Sequence, residues 1–299
     1  MKIWEEKADE QQIVGIATSH SFTLFVTEKG QLWARGESFL EMLDQASKET
    51  VQVKLPAGQL CRRAWVGKAS ASPCAFVELE DESTGKKCIY SAGRSEYGLL
   101  GQGSVEGTEV KESREFKKLA LESEDVQFDS LSVSNSAVMA IDSKGQLWGW
   151  GHNESQRLGL PEVAEKGVAK PTELAQLNNL KFKAKKAECS NVHSLVLFED
   201  LKGKDVLYSV GTSGYKHLGV PEDQLGDAEK RKATPFREIP TFSDRKVADF
   251  VAGDRCSLVI LQCDGAPAEQ LYNHVLPEGK KAQGLLHFYK KGDAWHFIP

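Results

Sequence analysis

Residues 98 to 107, GLLGQGSVEG, place Gly98, Gly101, Gly103 and Gly107 where backbone N–H groups could wrap a phosphate. The spacing is neither that of a Rossmann turn nor that of a Walker loop, and no lysine follows to meet the charge. His287 and His296, on adjacent strands of a carboxy-terminal hairpin, are the nearest approach to a metal-binding pair, and no carboxylate converges on them. The cysteines Cys61, Cys74, Cys88, Cys189, Cys256 and Cys263 form no CxxC pair, which argues against structural zinc and for thiols in a reducing compartment. Cys74 stands where Ser21, Ser136, Ser194 and Ser257 recur, and His20 and His193 share one place in two copies of the same pattern. A catalytic nucleophile or base occurs once, whereas a group that returns with each copy is structural. Cys74 is therefore expected to be a small packed residue, and the histidines to bond backbone at the start of an inner strand. No Ser-His-Asp arrangement or carboxylate pair stands out, so the expectation is a protein that is not an enzyme and uses no cofactor or metal.

Charge narrows the partners. Thirty-eight basic residues face 43 acidic ones, a net of -5, which disfavours nucleic acid because phosphate contacts need clustered positive charge. In KFKAKK, Lys181, Lys183 and Lys185 alternate with Phe182 and Ala184, the pattern of an edge strand with one face in water. Lys230, Arg231 and Lys232 sit in the longest loop and could meet phosphate or an acidic partner. The start, MKIWEEKADEQQ, lacks the apolar core of a signal peptide, and no apolar run approaches the ~20 residues that cross a bilayer. The expected setting is soluble and cytoplasmic, with the nucleus as the alternative, and no membrane partner.

These residues hang on a repeat. Aromatic strands ending in glycine recur as QLWARG at Gly36, CIYSAG at Gly93, QLWGWG at Gly151 and VLYSVG at Gly211, and eight residues on come Leu100-Gly101, Leu158-Gly159 and Leu218-Gly219, with Asp44 in the first copy. An apolar strand precedes each: HSFTLFV, PCAFVEL, NSAVMAI and HSLVLFE, with CSLVILQ as a fifth. Turns such as TEKGQ and DSKGQ between them predict antiparallel hairpins. VQVKLPAGQL, EFKKLALES, KPTELAQL and TPFREIPTF read as loops, and VQFDSLSV, KFKAKKAE and VADFVAGD as strands that enter the next unit. SFLEMLDQASKE is the best helix, opening at Ser38. Four short strands cannot bury both faces of their sheet, so the units must stack, and radial stacking predicts an all-β propeller of about five four-stranded blades in one domain, 1–299. The repeats run approximately 13–60, 61–125, 126–180, 181–245 and 246–299, the last degenerate. Trp33, Trp148 and Trp150, with Tyr90 and Tyr208, are expected to be buried between blades, and the closing glycines to pass where a side chain would strike the neighbouring blade.

LWGWGHNESQRLG resembles the repeat of the regulator of chromosome condensation family, with Asn153 in the asparagine place, Ser155 or Gln156 in the central one and Leu158-Gly159 closing it; YSAGRSEYGLLG keeps Gly98 and has Ser95 for the asparagine. Family members usually have seven blades, so about five implies a ring that is smaller, open or cut from something longer. In the fifth copy QLYNHV has Val275 for the glycine, and LLHFYKKGDAWHF reads as a further hairpin.

A rigid scaffold with variable rims points to binding. The loops after the closing glycines carry Tyr97, His152, Asn153, Arg157, Tyr215 and His217, residue types that anchor protein interfaces, and these are the candidate partner-binding residues. The expected function is a protein-interaction scaffold or adaptor. The resemblance implies one alternative, guanine nucleotide exchange on a small GTPase. A second, the substrate-binding part of a larger ubiquitin ligase or kinase, is an expectation from the sequence stopping at WHFIP within what reads as a hairpin.

Overall fold

The computed structural model describes residues 12–68, 73–105, 108–153, 156–160, 167–179, 181–212, 218–220, 233–242, 245–253, 256–262, 284–291 and 294–298. Two compact units are formed, one from 1–138 with 150–152 and 165–172, the other from 139–149, 153–164 and 173–299.

Among the described residues, five four-stranded sheets follow one another along the chain. The first holds β1 (Ile13–Thr18), β2 (Thr23–Thr27), β3 (Leu32–Arg35) and, after helix α1 (Glu37–Met42), β4 (Val51–Gln52). Next come β5 (Gln59–Val66), β6 (Cys74–Asp81) and β7 (Lys87–Arg94), a small hairpin β8 (Ser104–Val105) and β9 (Thr108–Glu109), and β10 (Glu112–Lys118), which returns beside β7. The third sheet is β11 (Phe128–Val133), β12 (Ala137–Asp142), β13 (Leu147–His152) and β14 (Gly167–Glu173), and its residues divide between the two units. Helix α2 (Ala175–Asn178) precedes the fourth, β15 (Lys183–Cys189), β16 (His193–Glu199), β17 (Asp205–Thr212) and β18 (Ala233–Glu238). A 3-10 turn, Pro240–Phe242, leads to the fifth, β19 (Val247–Ala252), β20 (Cys256–Leu261), β21 (Gly284–Lys291) and β22 (Ala294–Ile298).

The second strands β6, β12 and β16 are buried on both faces, which is why they read as unbroken apolar runs: Cys74 to Leu79, the whole of β12 and His193 to Phe198 are buried. The stretches expected to be loops are instead where the fourth strands β4, β10, β14 and β18 lie, and the chain turns away only afterwards. The fifth sheet departs from the repeat, because β21 pairs parallel with β20 and antiparallel with β22. The carboxy-terminal hairpin thus completes this blade. QLYNHV lies outside the described residues, as do the side chains of His287 and His296.

The closing glycine has a different reason from the one expected. Gly36, Gly93, Gly151 and Gly211 have φ of 136°, 127°, 92° and 121°, and a Cβ on any of them would overlap backbone at the start of the second strand of the same sheet, at Phe22, Pro73, Ser136 and Val192. The collision is within the blade. Eight residues on, Gly101, Gly159 and Gly219 adopt φ of 66°, 67° and 67°, and Asp44 follows them at 56°. That left-handed residue also closes α1, which begins at Glu37 and not at Ser38.

The aromatic strand also needs correction. Trp150 is fully buried, whereas Trp33, Trp148, Tyr90 and Tyr208 are half-buried. The indoles of Trp33 and Trp148 instead donate at their sheet surfaces, to Gln31 Oε1 at 3.2 Å and Asp142 Oδ2 at 3.0 Å. His193 and His20 part company too. His193 is buried between the Ser190 and Ser257 hydroxyls, at 2.9 Å and 2.7 Å, in place of a backbone bond from its ring, and His20 is exposed. Cys74 is buried and packs beside Gly67, and burial pushes its thiol up to about 12.

On β15, Lys183 and Lys185 are exposed on an edge strand, while Lys181 lies in the preceding turn at φ 59°. Lys186 was missed by the alternation because a one-residue bulge intervenes between Ala184 and Lys186. Its ammonium reaches Asp249 Oδ1 and, at 2.7 Å, the carbonyl of Phe250 on β19. Arg63 follows the corresponding bulge of β5, pairs with buried Glu78 and donates to the Phe128 carbonyl of β11 at 3.0 Å. The same strand position therefore ties one sheet to the next in both units.

Candidate functional site

The loops after the closing glycines are held from below. In the second blade, Ser95 Oγ accepts the N–H of Leu100 at 3.2 Å, and in the third, Asn153 Oδ1 accepts that of Leu158 at 3.3 Å, each five residues on. Ser95 and Asn153 are buried, so the asparagine place of the repeat braces its own turn. Asn153 Nδ2 adds a bond to the Leu160 carbonyl at 3.4 Å. The central position, held by Gly98 in one copy, is taken by Gln156 in the next, with φ of 77° and 48°.

Trp150 fixes the second of these loops. Its indole donates to the Leu99 carbonyl at 2.9 Å, its ring packs against Phe76 and Phe128 at 6.2 Å and 5.9 Å, and Gly101 leaves it room. Two residues along β13, on the same face of the strand, His152 stacks on Tyr97 with ring centroids 4.0 Å apart and planes 14° from parallel. Tyr97 is held at φ 58°, and Gly167 lets its carbonyl pass, since a Cβ there would overlap it. Both rings are half-buried. Two residues read from separate repeats thus form one aromatic platform on a loop whose backbone is set by a buried indole.

The other candidates divide. Arg157 is buried, and its carbonyl accepts the Ser194 hydroxyl at 2.7 Å, so with Asn153 it shapes the loop from inside. Tyr215 and His217 lie outside the described residues, as do Lys230, Arg231 and Lys232. The Gly98, Gly101 and Gly103 series serves turns with φ of 77°, 66° and 80°. Among the described residues, no group of three or more His, Cys, Asp or Glu side chains could hold a metal ion, and no helix is long and apolar enough to cross a membrane.

A concave feature lies at the opposite ends of the strands, where the hairpin turns are. It is a cleft of about 350 Å3 lined by Ile89, Leu119, Leu121, Val126 and Phe128, with Lys87, Lys118 and Glu78 among its charged groups. Sequence reading missed it because the segment that forms it looked like an ordinary polar loop.

Repeated four-stranded blades of this kind define a β-propeller protein. Residues 144–197 match the model of the regulator of chromosome condensation (RCC1) repeat. Over 259 residues the chain is 24% identical to the Arabidopsis thaliana protein "RCC1 domain-containing protein RUG3, mitochondrial", covering 84% of this chain and 52% of that one. It is 25% identical over 175 residues to the Homo sapiens "Probable E3 ubiquitin-protein ligase HERC6", covering 58% of this chain and 15% of the ligase. Among solved structures, human WBSCR16 superposes with a TM-score of 0.65 at 19% identity, covering 86% of this chain and 61% of that one. Yeast RCC1 (Prp20) bound to Kap60 gives 0.64 at 19% identity, covering 85% and 55%. A structure of Prp20p from Saccharomyces cerevisiae, described with its binding properties to Gsp1p and histones, gives 0.64, also at 19% identity, covering 85% and 57%. The fold is that of a propeller with four-stranded blades, about five of which are visible, and the chain is similar to RCC1-repeat proteins. It spans about half the length of RUG3 and a small part of HERC6.

Proposed function

We propose that the chain is a non-catalytic protein-interaction module of the cytoplasm that presents the loops of its blades to a protein partner. The Tyr97–His152 stack carries this reading: it is partly open, aromatic, and supported by a left-handed residue and a buried indole bond that fix its direction. Pre-set aromatic groups lose little conformational freedom on binding, which makes them effective anchors. The test is affinity capture with mass spectrometry, comparing the wild type with Tyr97→Ala and His152→Ala. Partners lost from both variants support the reading, and an unchanged partner set with both variants folded overturns it.

A second reading, nucleotide exchange on a small GTPase, is favoured by the superposition on Prp20p, whose structure is described with Gsp1p binding. Release of a fluorescent guanine nucleotide from a panel of small GTPases tests it, and absence of acceleration across the panel excludes it. A role as the substrate-binding part of a larger ligase draws on the likeness to HERC6 and is tested by reading the transcript on both sides of the sequence.

A further inference from the structure

In the first four sheets the outer strand releases the chain through one residue whose N–H bonds a carbonyl of the third strand: Val53 to Leu32 at 2.8 Å, Leu119 to Ile89 at 3.1 Å, Leu174 to Leu147 at 2.9 Å and Ile239 to Leu207 at 2.7 Å. These bonds align the four connections residue by residue. Three positions on stand Pro56, Glu122, Leu177 and Phe242. In the third and fourth blades the aligned segment is a helical turn, closed by Leu177 N–H to Leu174 O at 3.0 Å and Phe242 N–H to Ile239 O at 3.2 Å. Both side chains are buried, with exposures of 4% and 1%. Phe242 sits in an apolar cluster with Leu207, Ile239 and Val247, the last being the first residue of the next sheet.

The second blade leaves that place open. Glu122 points outward, its side chain 82% exposed, and the cleft of about 350 Å3 remains, lined by Ile89, Leu119 and Phe128, the aligned counterparts of Leu207, Ile239 and Val247. Those three are themselves buried, so the floor is apolar. Its mouth is polar, with Lys87 and Lys118 half-exposed and Glu78 paired to Arg63. An apolar floor with a few fixed polar groups at the rim is the composition of a binding site.

We propose that this cleft binds a protein partner through one leucine or phenylalanine carried on a short helical turn, the group that the chain itself supplies at the same place in the next two blades. The inference rests on the reading of the chain as a protein-interaction module and adds a second surface, at the strand ends away from Tyr97 and His152.

The probe is the capped peptide REIPTF, residues 237–242 of this chain, titrated into the full chain and followed by methyl and amide NMR. Saturable shifts are expected at Ile89, Leu119, Leu121 and Val126, together with slower thiol labelling of Cys88, which also lines the cleft. Replacing the terminal phenylalanine of the peptide by alanine weakens binding about tenfold or more. Glu122→Phe supplies the missing plug in cis and abolishes the response, whereas Glu122→Gln, which removes only the surface pair with Lys170, leaves it intact. No saturable shift with the wild type, or shifts that survive Glu122→Phe, overturns the proposal. Self-association of the wild type in sedimentation, abolished by Glu122→Phe, makes the occupant a second copy and likewise overturns it. A failed cleft with partners still captured through Tyr97 and His152 counts against this inference alone.

Discussion

His193 and Ser257 share a hydrogen bond of 2.7 Å between Nε2 and the serine hydroxyl, both residues wholly buried. The other ring nitrogen meets Ser190 Oγ at 2.9 Å, so one imidazole joins a turn of the fourth sheet to the second strand of the fifth. Replacing His193 by phenylalanine keeps an aromatic ring but takes a partner from each serine. The expected loss of stability is about 1–3 kcal/mol. A double-mutant cycle with Ser257→Ala should show coupling of about 1 kcal/mol or more by denaturant unfolding, and additivity would refute the link.

Trp150 and Trp148 differ by two residues in sequence and by a great deal in cost. Trp150→Phe leaves the buried Leu99 carbonyl without its indole donor and is expected to cost about 1–3 kcal/mol, with Trp150→Ala at about 3–5 kcal/mol. Trp148→Phe gives up a part-buried bond to Asp142 and keeps a ring in place, so a loss near 1 kcal/mol or less is expected. Thermal unfolding of the three variants orders them, and equal effects would mean that both indoles carry similar packing.

How much of this was legible depends on which interactions a repeat preserves. The blade count and the left-handed turns could be read directly, because a backbone that folds back on its own sheet imposes glycine at the same spacing each time; even Asp44, which broke the pattern, follows it in φ. Burial of individual aromatics was not legible, since Trp148 and Trp150 are alike in type and share a face of β13, and what separates them is that Trp150 meets Phe76, Phe128 and the Leu99 carbonyl whereas Trp148 donates to Asp142. In the candidate site, Tyr97 and His152 were named separately, and only the fold shows that they touch. Asn153 and Arg157 looked like surface groups because the turn that buries them is irregular. The cleft beside Phe128 was invisible for another reason: it is defined by a side chain, Leu177 or Phe242, that the second blade lacks.

The repeat's own glycine positions can be tested against its exception. Gly93→Ala must fit a Cβ against the backbone at Pro73 and Cys74 at φ 127°, and a loss of about 2 kcal/mol or more is expected. Asp44→Gly goes the other way. It relieves a left-handed non-glycine residue, worth about 1–2 kcal/mol, while adding about 0.5–1 kcal/mol of unfolded-state freedom. The Arg114 pair that it loses is exposed and contributes little. Chemical denaturation should place Asp44→Gly between neutral and modestly stabilised, and a clear destabilisation would show that the carboxylate does more than occupy the turn.

Asp81 closes the hairpin between β6 and β7, with Oδ1 accepting from the Ser83 hydroxyl at 2.5 Å, the Thr84 hydroxyl at 3.0 Å and both backbone N–H groups. These bonds, the Ser83 hydroxyl foremost, hold its acidity at about 2 instead of the ordinary 3.8. A folded value below the unfolded one means that the stabilisation is complete above the unfolded value and disappears as pH falls through the folded one. The hairpin should therefore keep its geometry at pH ~4 and loosen toward pH ~2. The amide resonances of Ser83 and Thr84 are the direct readout. In the wild type they should move with a midpoint near 2, and in Asp81→Asn, which keeps an acceptor but cannot titrate, the same resonances should stay flat. A midpoint near the ordinary carboxylate value would mean that the turn does not hold Asp81 in this geometry in solution.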